Sequence, residues 1–167
     1  MNVELQVDGL EELQALFEQA PELVIEEYEA ATWEAELLLE RETKELTPTG
    51  ATGLLRESIA AEPPVVGNTL LGVVGTSLAH AVPVELGTRP HFPPIEPIMD
   101  WVRSKLDIKD DGNATVYYTA LAIARKIAAR GTLGVGMFHR AFAIYKGQMQ
   151  EMFKNANARV VQRMGEH

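Results

Sequence analysis

The chain contains no cysteine among its 167 residues. That excludes a disulfide framework, a thiolate metal site and a cysteine nucleophile, and it fits a reducing compartment. Long apolar runs are missing as well. None approaches the roughly 20 residues needed to span a bilayer. The opening "MNVELQVDGLEEL" lacks the basic start and apolar run of a signal peptide, so the expectation is a soluble protein that is intracellular when made. A positive total charge is absent: the net value is −9, which disfavours wrapping a nucleic acid, because phosphate contacts need concentrated positive charge. The chemical motifs are lacking too. Gly67, Gly72 and Gly75 are not followed by the G-K-[ST] of a phosphate loop. Ser58 and Ser77 lack a nucleophile-elbow context, and no H-E-x-x-H occurs. There is no internal repeat or low-complexity tract.

What remains is a globular composition, 46% hydrophobic, in a chain of single-domain length. Its charge is unevenly spread. Residues 1–46 hold 14 acids and 2 bases, residues 47–100 hold 5 and 2, and residues 101–167 hold 5 and 11. The first segment is thus strongly acidic and the last basic. Two such faces can meet within one subunit or between neighbours, or they can simply be solvated helix faces.

Val3, Leu5 and Val7 alternate with polar residues and predict a half-buried strand ended by Asp8-Gly9. "LEELQALFEQA" predicts a short helix. From Pro21 to about Leu46 the spacing predicts a long helix, with Val24, Tyr28, Ala31, Ala35 and Leu38 as its apolar stripe, widened by Ile25 and Leu39. At 1.5 Å per residue it is roughly 39 Å long, more than a compact two-layer domain covers, so part of it is expected to meet a partner. "TPTGATG" breaks the helix. Residues of about 57–78 predict a hairpin or meander with a turn at Asn68. Helices follow at about 95–106, 114–130 and 137–163. Their apolar stripes are Ile95, Met99, Val102 and Leu106; then Tyr117, Leu121, Ala124 and Ile127; then Phe138, Phe142, Tyr145, Met149 and Met152. "DIKDDGN" is a loop, and Gly131, Gly134 and Gly136 form a flexible break. The last stripe reads as core, with a partner groove as the minor alternative. The "GTLGVGMF" break before the last helix reads as a hinge or turn sooner than as an anion site.

His80, Glu85 and His91 form the only cluster resembling metal ligands. Their spacing matches no common zinc motif, and no metal site, cofactor or catalytic residue is expected. His139 sits on a helix flank beside Arg140, and His167 is terminal.

Three pieces occur in order: "TPTGATGLLRESI", "GVVGTSLAHAVPVELGTRP", and a proline-rich arm leading to helices, the last of which opens with "GMFHRAF". This order resembles the tail-component, or tail-completion, family of long-tailed bacteriophages, the lambda tail protein Z-like minor tail proteins. Members carry a "P-x-x-T-G-x-L-x-x-S-I" segment, matched here by Pro48, Thr52, Gly53, Leu54, Ser58 and Ile59 with one extra residue before the Thr-Gly. They also carry a "Y-A-x-x-V-E-x-G-T" segment, matched by His80, Ala81, Val84, Glu85, Gly87 and Thr88, with His80 in place of the usual tyrosine and Pro83 as an added stiff residue. The resemblance covers roughly residues 3–155. It implies an α+β fold in one domain over residues 1–167, with a small antiparallel β-sheet packed against a long N-terminal helix and further C-terminal helices. It also implies a structural virion protein without enzyme activity. Such a protein is a homo-oligomeric ring, a hexamer or dodecamer, at the neck or head-proximal end of the tail. It contacts the head–tail connector, tail terminator or tail tube, lets DNA pass through its lumen, and resides in the host cytoplasm during assembly. No membrane is involved.

Within that frame residues 81–94 read as an interaction arm. Glu85, Gly87, Thr88, Arg89, Pro90, His91, Phe92 and Pro93 are its expected interface residues. Gly87 permits a tight turn. Pro90, Pro93 and Pro94 lower the entropy lost on docking. Arg89 can pair with a carboxylate on a neighbour's acidic helix or locally with Glu85. An acidic lumen would repel DNA. The alternatives are an ordinary surface loop, an adaptor module of non-viral origin, and a small hydrolase using His80, Glu85 and His91.

Overall fold

The computed structural model describes residues 21–106 and 114–165. The strand expected at Val3, Leu5 and Val7, the helix expected before Pro21, the "DIKDDGN" loop and His167 lie outside the described residues. The fold is α+β. Its elements run α1 (Pro21–Leu46), α2 (Leu54–Ser58), β1 (Ala60–Val66), β2 (Leu70–Gly75), α3 (Ala81–Leu86), β3 (Gly87–Thr88), α4 (Ile95–Lys105), α5 (Ala114–Arg130), β4 (Thr132–Leu133) and α6 (Met137–Gly165). Among the described residues no helix is long and apolar enough to cross a membrane.

The chain forms two compact units. The first holds residues 21–38, 61–73 and 145–165 of the described chain. Pro21 occupies the first turn of α1, where its missing N–H is no loss, and the five stripe residues Val24, Tyr28, Ala31, Ala35 and Leu38 are all buried. Val24 and Tyr28 pack with Val160 of α6, joined by Leu70, Phe153 and Met164. The Tyr28 hydroxyl donates to Asn157 Oδ1 at 2.6 Å, so the ring is buried without leaving its polar end unpaired. The β1–β2 hairpin turns at Gly67, whose N–H donates to the Thr69 carbonyl. Pro63 and Pro64 sit in β1, which a two-stranded sheet tolerates because both strands are edges. The hairpin lies on α1 at Gly72. A Cβ there would stand 2.6 Å from the Glu36 carboxylate, so any larger residue would have to displace that side chain.

The second unit holds residues 39–60 and 74–144. One core gathers Leu55, Ala81 and Met137, with Leu46, Leu78, Val84, Val135 and Phe138 around them. A second lies between α4 and α5, made by Val102, Val116 and Ala120 with Ile95, Ile98, Met99 and Ile123. The buried face of α5 is therefore Val116, Ala120 and Ala124; of the expected stripe Ala124 is buried, Leu121 and Ile127 are half-buried, and Tyr117 is exposed. Alanines let two helices approach closely, whereas Tyr117 and Tyr118 keep their polar tips in water and meet edge-on, ring centroids 5.7 Å apart.

Candidate functional site

The 81–94 stretch is not one arm. Residues 81–86 are helix α3, with Pro83 tolerated in its first turn. Gly87 and Thr88 then pair antiparallel with β4, Gly87 opposite Leu133 and Thr88 opposite Thr132. The Val135 and Gly136 N–H groups donate to the Val84 and Glu85 carbonyls at 2.8 and 3.0 Å. The Thr88 and Thr132 hydroxyls meet at 3.0 Å. These contacts make a clasp between the "VELGT" segment and the "GTLGVG" break, which is structured by pairing and is not a free hinge.

Glu85 completes the clasp. Its carboxylate accepts the backbone N–H groups of Phe138 at 3.0 Å and His139 at 3.1 Å. These are orphan donors in the first turn of α6, and a negative charge there also complements the helix dipole. A side chain distant in sequence thus acts as the helix cap. Glu85 makes no pair with Arg89, so the local pairing considered for it does not form. Gly87 has φ 81°, and a Cβ on it would lie 2.4 Å from the Thr132 carbonyl oxygen. The position admits glycine alone.

The remaining expected residues separate. His80 and His91 are exposed, and His91 Nδ1 bonds the Arg89 carbonyl at 2.9 Å. Among the described residues no three His, Cys, Asp or Glu side chains gather as a metal site. The Ser58 hydroxyl donates to the Leu55 carbonyl at 2.8 Å and accepts from the Thr76 hydroxyl at 2.7 Å. Arg89, Pro90, His91, Phe92 and Pro94 are exposed, with Pro93 half-buried, so the extended, surface part of the stretch is residues 89–94.

No protein-family model, curated protein or solved structure matches this chain.

Periodicity does not reveal the apolar surface around the clasp. Val82 is 61% exposed, Leu86 69% and Leu133 97%. Val82 and Leu86 are one helical turn apart on α3, and Leu133 lies opposite Gly87, the residue after Leu86. The only sequence signal is a leucine placed in a glycine-rich turn. In the first unit Trp33 is also exposed. It falls outside the apolar stripe of α1, which is the sign of a tryptophan not assigned to the core.

Two buried acids on α1 differ in their surroundings. Glu27 accepts Arg159 Nε at 2.6 Å and Arg163 Nη1 at 2.7 Å. Those bonds, against the opposing effect of burial, hold its carboxyl below the ordinary carboxylate value. Glu36 accepts the Val73 N–H through Oε1, but its buried Oε2 has no partner. Burial, with a smaller contribution from the Glu62 charge, pushes its carboxyl up.

Proposed function

We propose that the chain is a structural subunit of a long-tailed bacteriophage particle, working in tail completion or head–tail joining as one member of a ring. The observation that carries the reading is the clasp. Four residues that resemble the family's second motif, Val84, Glu85, Gly87 and Thr88, build it, Glu85 as a helix cap and Gly87 as a close approach. It then presents Val82, Leu86 and Leu133 to the outside. Large apolar side chains grouped on a surface mark a face that another protein covers. This is what a subunit that acts by assembling requires, and Glu85, the acid of the motif, is already engaged as a helix cap. The partners in this reading are further copies of the chain and the neighbouring connector, terminator and tube proteins, with DNA passing through the lumen.

Electron microscopy of lysates from the parent phage with this gene deleted tests the reading. The expected result is filled heads lying apart from tails. A normal yield of infectious particles would overturn it.

A further inference from the structure

The first unit carries an open groove of about 430 Å³ lined by Glu26, Glu29, Ala30, Trp33, Pro63 and Pro64. Glu26, Glu29, Ala30 and Trp33 fall at i, i+3, i+4 and i+7 on one face of α1, and the two prolines of β1 stand against them. Its lining combines a tryptophan and two prolines with two acids. Glu29 makes no ion pair among the described residues, and Glu26 has only a long contact, 3.4 Å, to Arg163. Aromatic grooves with acidic side chains take extended, proline-rich segments that bring a cation, because such a segment loses little entropy on docking.

The chain itself contains a segment of that chemistry. Residues 89–94, "RPHFPP", run without regular secondary structure and end at Pro94 with φ −56° and ψ 138°, the polyproline II region. Phe92 is 56% exposed. The Arg89 guanidinium has no acidic partner among the described residues, since Glu85 is committed to the α6 cap.

We infer that residues 89–94 of one copy dock in the Trp33–Pro63–Pro64 groove of a second copy, with Arg89 on Glu29 and Phe92 or a proline against Trp33. This deepens the assembly reading above and rests on it. Arm and groove are different surfaces, so the contact is head-to-tail. Such contacts repeat from copy to copy until a ring closes. A six-residue arm buries less than the roughly 800 Å² per partner of a stable complex, so an isolated pair is weak and closure of the ring supplies the rest.

The absence of native cysteine makes disulfide trapping clean. E29C and R89C chains, mixed and oxidised, are expected to form a covalent dimer well above the level either variant gives alone. The double variant E29C/R89C should give a ladder on a non-reducing gel. By sedimentation, R89E should weaken association about tenfold or more, as loss of a charged interface contact does, and the swap E29R/R89E should restore it. Unchanged circular dichroism of R89E would exclude misfolding as the cause. Oligomers that form with neither the cross-link nor a dependence on Arg89 would overturn this contact and leave the assembly reading standing. A chain that stays monomeric at every concentration would overturn both. A cross-link confined to single chains of the double variant, or a groove occupied by another protein's proline-rich segment without the 29–89 cross-link, would also overturn it.

Discussion

Glu27 and Glu36 sit on the same helix, yet folding treats their protons in opposite ways. Glu27 is held ionised by Arg159 and Arg163. Its folded value lies below the ordinary 4.5, so its contribution is complete above pH 4.5 and is lost as pH falls through the lowered value. R159A/R163A should destabilise the chain at pH 7, because the Glu27 carboxylate loses both of the guanidinium groups it accepts from. That difference should shrink as pH falls through the lowered Glu27 value, as read by urea melts. Glu36 runs the other way. Its folded value is raised, so the folded state binds the proton more tightly than the unfolded chain. Its contribution is complete below pH 4.5 and is lost as pH rises through the raised value. E36Q keeps an acceptor for the Val73 N–H and removes the charge. It should stabilise the chain at pH 7 by about 1 kcal/mol and flatten the pH profile above 4.5. A variant less stable than the parent at pH 7 would contradict this account. Neither acid's role was legible in the sequence, where both read as members of an acidic run. The partners of Glu27 come from α6 and those of Glu36 from β2, and no local pattern announces either.

At the scale of elements, legibility followed the source of the order. Helix α1 could be bounded from Pro21, its period and the break that follows, and all five of its stripe residues are buried. Local propensity and amphipathic spacing decide such an element. The hairpin turn at residues 67–69 was likewise visible in Gly67-Asn68. The clasp was not. β3 and β4 have two residues each, too few to show alternation, and their order comes from pairing with each other. Helix α3 was hidden by Pro83, which reads as a breaker until its position in the first turn is known. The clasp's dependence on glycine and on the Glu85 cap is testable. G87A should cost about 2–3 kcal/mol, since a Cβ meets the Thr132 carbonyl in a left-handed backbone. E85A should cost about 1 kcal/mol, the usual worth of a helix cap, with E85Q losing less. Denaturant unfolding of the three variants checks the ranking. Equal stability of G87A and the parent would mean that the strand pair is dispensable.

For the whole molecule, the sequence indicated an excess of surface to be covered before the structure located it. The long acidic helix and the basic last third pointed to contacts between faces, while the apolar group at Val82, Leu86 and Leu133 had no periodic signature. If this group is covered in an assembly, L133E should change folding stability by less than about 0.5 kcal/mol, the usual range for a surface site, while sharply reducing oligomer formation measured by light scattering. A drop in melting temperature with assembly unaffected would assign Leu133 to the subunit's own packing instead.

The pairing of Tyr28 with Asn157 has a consequence for how the protein is made. The two residues are 129 positions apart, and the Val24–Tyr28 core is closed by Val160 and Phe153, near the end of the chain. A ribosome adding about 5–20 residues per second emits the apolar stripe of α1 roughly 6–25 s before the residues that cover it. Through that interval the nascent helix is a sticky ribbon, and several ribosomes on one message hold such ribbons side by side. The acids at the start of α1 give these ribbons like charges, which repel.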